Sequence, residues 1–267
     1  MNTNFSTNFD LLNSAFFGII MRMPDQVEAK KEAHIHPITR IIREINTIFN
    51  EMGFEFADGP EVESEHYNFD ALNIPANHPA RDLWDTFWMR PLNARRLLRT
   101  HTSPVQIRHM ESHEPPIRII APGKVYRNEA TDMTHEAQFY QVEGLMIGKD
   151  VTLATLRGVF KIFFEKFFGS EVEIRLRPSY FPFVEPGVEV DVRLVGDGAP
   201  ERLKDKWIEV LGAGMVHPKV LESAGIDSRQ WQGFAFGTGV ERLGMLKYGI
   251  DDARLFHNGD LRFVNQF

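Results

Sequence analysis

Phe234-Ala235-Phe236 runs directly into Gly237-Thr238-Gly239-Val240-Glu241-Arg242, and Leu243, Met245 and Leu246 then open an apolar pattern at helical spacing. A strand, a glycine-rich turn and an arginine near a helix start constrain the fold more than any other stretch of the chain. Glycines let the backbone approach a ligand closely, and a helix start favours anions. The arrangement can present a guanidinium to a planar or anionic ligand. By itself, a glycine pair before a helix is more often only a turn.

A second arginine segment adds to this. Lys124-Val125-Tyr126-Arg127-Asn128-Glu129 reads as one strand and Phe139-Tyr140-Gln141-Val142-Glu143-Gly144 as another. The stretch between them, Ala130 to Gln138, is polar and includes His135 and Glu136. Alternate residues of a strand share a face. Arg127 therefore goes with Glu129, and Phe139 with Gln141 and Glu143. Pairing as a hairpin would collect an arginine, two carboxylates, an amide and one aromatic ring on one face. A soluble sheet also carries a polar face with no ligand involved, and the pattern alone leaves that open.

Around these segments the chain alternates helices and strands. Pro37 opens a helix whose stripe is Ile38, Ile41, Ile42, Ile45, Ile48, Phe49 and Met52, and Gly53 ends it. A second helix is expected from about Thr152 to Phe168, burying Leu153, Leu156, Phe160, Phe163, Phe164 and Phe167. Strands are expected over Val172 to Arg177, Val188 to Leu194 and about Trp207 to Leu211, with a turn at Gly196 to Pro200 and a short helix end at Val220 to Gly225. Strands beside strands with helices outside predict an α+β fold, a mainly antiparallel sheet flanked by helices.

Composition sets limits. The 267 residues suffice for one large domain or two small ones, and 43% of them are hydrophobic, as expected of a chain that buries a core. Without cysteine there are neither disulfides nor thiolate metal sites. No apolar run approaches the roughly 20 residues that span a bilayer, and no basic region precedes the first apolar stretch, so the default expectation is a cytoplasmic protein with no membrane association. A net charge of −7, with only short basic clusters such as Arg90, Arg95, Arg96 and Arg99, favours small-molecule chemistry over an extended nucleic-acid grip. His109 and His113 are four residues apart but lack an evident third ligand, and read as surface residues.

Arg127-Asn128-Glu129 with its loop and returning strand resembles motif 2 of the class II aminoacyl-tRNA synthetases, and Gly237 to Arg242 resembles motif 3. Gly53 to Pro60 resembles motif 1, whose proline ends a dimer-forming helix–strand unit. More narrowly, the chain resembles the α subunits of phenylalanyl-tRNA synthetases. That match is carried by His78-Pro79-Ala80-Arg81 with Asp85-Thr86-Phe87-Trp88, Leu98 to Pro104, Arg177-Pro178-Ser179-Tyr180-Phe181-Pro182-Phe183, and Gly212 to Pro218. It runs in order from about His36 to Phe267.

The resemblance implies a class II catalytic fold and a two-step reaction. L-phenylalanine and ATP give phenylalanyl-adenylate and pyrophosphate, and phenylalanine then passes to tRNA(Phe). It implies catalytic roles for Arg127, Glu129, His135 and Arg242. ATP would meet these four together with Phe139 and Gly239: Arg127 on the α-phosphate, His135 near the outer phosphates, Phe139 and Arg242 on the two faces of adenine. Phe181 and Phe183 would read the substrate ring, on one side of a segment that Pro182 keeps extended. Val184, Ala235 and Gly237 would line the same pocket. His101, Ser103, Gln141 and Glu143 would bind the amino and carboxylate ends, and Trp88 would close the pocket. Glu185 would supply half of a Mg²⁺ site shared with a β subunit, since Mg²⁺ wants several oxygens.

The resemblance also implies partners and boundaries. Residues 1–33 are expected to be a short extension or linker in place of the family's helical arm, and 34–267 the catalytic domain. It implies an (αβ)₂ heterotetramer with a β subunit; about 25 residues follow Arg242 and none reads as an anticodon-binding domain, which argues against the family's monomeric organellar form. Two alternatives remain at this stage. A phosphoseryl-type enzyme would want basic donors where Phe181 and Phe183 stand. A non-catalytic paralogue would tend to lose the motif arginines, and Arg127 and Arg242 are present.

Overall fold

In the computed structural model, residues 34–77, 86–128, 130–133, 135–196 and 198–267 are described. The expectations for residues 1–33, for His78 to Asp85 and for Glu129 lie outside the described residues. Ile35–Phe267 forms one compact unit.

Helix α1, Pro37–Glu51, starts where the sequence predicts, with proline in its first turn and the His36 ring accepting the Ile38 N–H at 3.3 Å. It stops before Gly53, which adopts φ +79°. Strands β1 (Glu55–Phe56) and β2 (Val62–Ser64) follow, then short helix α2 (Glu65–Asn68), strand β3 (Arg96–Leu98) and helix α3 (Ser103–Ser112). Next come the long strands β4 (Ile117–Tyr126) and β5 (Gln138–Gly148) and helix α4 (Leu153–Phe168). Strands β6 (Val172–Phe181), β7 (Val184–Leu194) and β8 (Ile208–Val216) precede helix α5 (Pro218–Ser223), strand β9 (Gln232–Gly239) and helices α6 (Val240–Tyr248) and α7 (Leu261–Val264).

Among the described residues, seven strands make one sheet in the order β1-β4-β5-β9-β8-β7-β6. Every pairing is antiparallel except β1 with β4. β2 and β3 form a separate antiparallel pair. The expected α+β architecture is present.

The two faces of the sheet differ. One packs on α1, α4 and α6, where Phe236 of β9 meets Phe49 and Phe160 and Phe234 lies in the same core. The rings of Phe49 and Phe163 lie 4.9 Å apart and those of Phe160 and Phe236 5.1 Å apart. Such pairs contribute roughly 0.5–1.5 kcal/mol each beyond their burial. Residues of opposite parity, including Leu145 and Ala235, belong to a second core with Val105, Val216 and Val220. The candidate site lies on that second face.

Several boundaries depart from the sequence reading. β4 ends at Tyr126, short of the expected Glu129, although the Arg127 N–H still donates to the Ala137 carbonyl at 3.0 Å and carries the ladder one step further. β6 extends past Arg177 to Phe181. Phe181–Val184 is a hairpin corner, with Phe181 and Val184 paired across it, and not the extended segment expected. Proline's fixed φ suits the first corner of a tight turn as well as it suits an extended chain.

Candidate active site

The floor of the site is built by register. Ala121, Glu143, Gly237, Gly212, Glu189 and Arg177 lie directly opposite one another, strand to strand, across β4, β5, β9, β8, β7 and β6. Directly opposed residues project from the same face. The two glycines in the middle carry no side chain, so the row has a gap flanked by the carboxylates of Glu143 and Glu189. A Cβ at Gly212 would lie 2.8 Å from Cζ of Phe181, and one at Gly237 would lie 3.0 Å from Cγ of Glu143. In the next row Leu145, Ala235 and Gly214 are opposed. Small residues at the centre of a twisted sheet leave room for a ligand above it.

Above this floor is a cavity of about 490 Å³. His101, Ser103, Gln141, Glu143, Phe181, Phe183, Val184, Ala235 and Gly237 all line it, as does Arg127. Phe181 and Phe183 stand side by side with ring centroids 6.0 Å apart. The hairpin corner, not an extended strand, brings them together. Tyr180, from the quoted Arg177–Phe183 run, also lines the cavity, as do Leu72, Gln106, Glu189 and Glu209, to which the sequence reading assigns no site role. Of these four, Gln106 alone carried a signal, one helical turn beyond Ser103.

Glu143 is the polar centre of the cavity. Its carboxylate accepts the Thr102 N–H at 3.1 Å, the Ser103 hydroxyl at 2.6 Å and the Gln106 amide at 2.8 Å, all from the start of α3. Burial nevertheless dominates and raises its pKa to about 7, with the Ser103 and Thr102 hydrogen bonds and the Arg127 charge pulling the other way. A carboxylate this buried gains most from a cation that enters the cavity. Burial, followed by the Arg127 charge, lowers His101 to about 3, so its ring is neutral and serves as a hydrogen-bonding group. The cavity thus has an aromatic and aliphatic end at Phe181, Phe183, Val184 and Ala235, and a cation-seeking end at Glu143.

A second cavity of about 180 Å³ adjoins it, lined by Arg127, His135, Phe139, Gly239 and Arg242 together with Glu136, Glu241 and Ala253. The two strands pair as a hairpin, with Val125 opposite Phe139, Gly123 opposite Gln141 and Ala121 opposite Glu143. Arg127, Phe139, Gln141 and Glu143 therefore share a face. The Arg127 guanidinium carbon lies 4.9 Å from the centroid of the Phe139 ring, and Arg127 Nε donates to the Thr100 carbonyl at 3.3 Å. Arg127 borders both cavities. His135 is exposed and hydrogen-bonds Asp132 at 3.0 Å. The Arg242 guanidinium reaches the Glu209 carbonyl at 3.4 Å.

Two expected residues stand apart. Trp88 lines neither cavity; it is 41% exposed, bridges Leu97 and sits beside Phe69. Glu185 lines neither cavity, is 76% exposed, and pairs with His217 at 3.3 Å. Among the described residues no group of three or more His, Cys, Asp or Glu side chains is placed to hold a metal ion. His109 and His113 stack on each other at 3.9 Å. No helix among the described residues is long and apolar enough to cross a membrane.

Comparison with known proteins fits this geometry. Residues 21–267 match the family model described as the tRNA synthetases class II core domain (F). A phenylalanine–tRNA ligase alpha subunit from Dehalococcoides mccartyi is 55% identical over 240 residues, covering 87% of this chain and 69% of that protein. One from Pseudomonas savastanoi pv. phaseolicola is 53% identical over 236 residues, with the same coverage. The crystal structure of pyrrolysyl-tRNA synthetase from Desulfitobacterium hafniense shares the fold at a TM-score of 0.64 and 19% identity, covering 96% of this chain and 87% of that one. An arginine between an amino-acid-sized cavity and a ring-and-arginine cavity, on a class II sheet, agrees with these relatives: the chain belongs to the phenylalanine–tRNA ligase alpha-subunit family of class II aminoacyl-tRNA synthetases.

Proposed function

We propose that this chain activates L-phenylalanine with ATP and, together with a β subunit, transfers it to tRNA(Phe). The observation that carries this reading is the position of Arg127 on the border of both cavities. In the first cavity the substrate ring lies between Phe181, Phe183, Val184 and Ala235. Its ammonium group meets Glu143, with Ser103, His101 and Gln141 around it. Its carboxylate then points to Arg127. In the second cavity adenine lies between Phe139 and Arg242 beside Gly239, and His135 meets the outer phosphates.

Chemistry follows from this placement. A carboxylate oxygen of phenylalanine attacks the α-phosphorus of ATP, and the bond to the bridging oxygen of pyrophosphate breaks. Charge builds on the α-phosphate oxygens, where the fork of Arg127 stabilises it. The terminal adenosine of the tRNA then attacks the acyl carbon and AMP leaves. Neither step needs a covalent nucleophile from the chain. The rate enhancement comes from positioning and fixed charge. Glu129, which motif 2 would place beside Arg127, belongs to the same proposed set.

Mg²⁺ is part of the proposal at two places. One ion accompanies the phosphates of ATP. A second would use Glu185, which by itself offers one carboxylate and therefore fits only as one ligand of a site completed by the β subunit. The proposed assembly is an (αβ)₂ heterotetramer, with 34–267 as the catalytic domain and 1–33 as the linker that precedes it. Aminoacylation of tRNA(Phe), measured for the chain with and without its β partner, tests the whole reading. Phenylalanyl-tRNA formed by the complex supports it. A folded complex that binds tRNA but forms no phenylalanyl-tRNA would favour the non-catalytic paralogue.

A further inference from the structure

Glu241 precedes Arg242 in the first turn of α6, just after the glycine-rich turn. It is 5% exposed and lines the smaller cavity. Both its oxygens accept the backbone N–H of Tyr140, at 2.9 and 3.1 Å. Tyr140 immediately follows Phe139, whose ring borders the same cavity. The carboxylate thus ties the start of α6 to the strand that carries the ring.

Glu241 is itself held. Nε2 of His257 lies 3.0 Å from its Oε1. His257 follows a 3-10 turn, Ala253–Phe256, that also touches the loop between β4 and β5. The Ala253 N–H donates to the Met133 carbonyl at 2.9 Å, and Ala253 lines the cavity too. Arg254, bound to Asp252, lies near enough to Asp132 and Glu136 of that loop for their charges to act on it. One short segment therefore contacts both the turn and the loop that border the smaller cavity.

We infer that the segment Asp252–His257 is a brace on the nucleotide side of the site, and that His257 is a positioning residue acting through Glu241. Without the His257 donor, the Glu241 carboxylate is free to turn away from the Tyr140 N–H. A buried charge that loses a hydrogen bond recruits water or shifts its rotamer. Phe139 then loses the fixed position on which stacking depends, while the phenylalanine cavity, built on Glu143 and the glycine row, is untouched. The inference rests on the proposed use of ATP at the smaller cavity.

The test compares His257→Ala and His257→Gln with the unaltered protein in the αβ complex. The dissociation constant for ATP is measured by equilibrium dialysis, and KM values for ATP and phenylalanine by pyrophosphate exchange. The expected result is a rise of at least fivefold in Kd and KM for ATP in His257→Ala. KM for phenylalanine and kcat should stay within twofold, and His257→Gln, which restores a donor, should recover most of the loss. If His257→Ala does not fold, His257→Leu fills the space without a donor and is read the same way. ATP affinity within twofold of the unaltered protein, an equal rise in both KM values, or no recovery in His257→Gln would overturn the brace. Failure of the functional reading looks different: the unaltered complex would then bind ATP but show no exchange with phenylalanine, and the dialysis ratio would still judge His257.

Discussion

The Arg127 guanidinium carbon sits 4.9 Å from the centre of the Phe139 ring, on the opposing strand of the β4–β5 hairpin. These two residues of the smaller cavity's lining are thus in contact with each other as well as facing the site. Stacking of a base on an aromatic ring contributes roughly 1–3 kcal/mol. Phe139→Leu should therefore raise KM for ATP by about tenfold and leave KM for phenylalanine nearly unchanged. Steady-state exchange kinetics read both. An unchanged KM for ATP would place adenine elsewhere.

Among the described residues Arg127 is the one charged side chain lining both cavities, and Arg127→Ala removes it. Loss of a single charge-stabilising donor costs on the order of 10²- to 10³-fold in kcat. Arg127→Lys should recover little, because a point charge cannot bridge two anions with a planar fork. Thermal melting of both variants should match the unaltered protein to within a few degrees. Near-normal exchange by Arg127→Ala would remove the residue from the mechanism.

Glu143 gives a pH dependence with a definite sign. Burial raises its folded pKa from 4.5 to about 7. Its contribution to stability is complete below about pH 4.5 and is lost as the pH rises through about 7. Melting temperatures of the unaltered protein, taken relative to Glu143→Gln, should fall across that window. A flat difference would mean that the carboxylate ionises normally. Binding of phenylalanine favours the ionised form, so titration near pH 7 should release protons, and calorimetry in buffers of different ionisation enthalpy detects this.

Ala235 closes the aromatic end of the larger cavity. Ala235→Gly removes one methyl group, and para-chlorophenylalanine should become a substrate while phenylalanine remains one. Discrimination set by a methyl-sized difference is typically about 10- to 200-fold, so the gain should be read as a ratio of kcat/KM values. An unchanged ratio would move Ala235 out of the pocket wall.

Much of this was legible in the sequence for local reasons. Ile38, Ile41, Ile45 and Ile48, and Phe160, Phe163, Phe164 and Phe167, repeat at helical spacing and lie in the core, while Ile42, Met52 and Leu153 of the expected stripes are only half-buried. Phe139, Gln141 and Glu143 share a face because a strand has a period of two, which needs no tertiary information; Arg127 joins them only through the register of the hairpin. What stayed hidden came from distant pairing. β9 enters between β5 and β8, so Gly237 lies between Glu143 and Gly212, and the glycine floor exists only once that order is known. The hairpin at Pro182 was missed because proline permits an extended chain and a turn alike. Glu241 and His257 are 16 residues apart and carry no motif linking them.

ATP–pyrophosphate exchange by the chain with its β partner, with phenylalanine and tyrosine compared at equal concentration, tests activation and ring selection together. Exchange should require phenylalanine and be at least 10²-fold weaker in kcat/KM with tyrosine, since a para-hydroxyl would crowd Ala235 at the apolar end formed with Phe181, Phe183 and Val184. Equal exchange with both amino acids, or none with either from a folded complex that binds ATP, would contradict the proposed function.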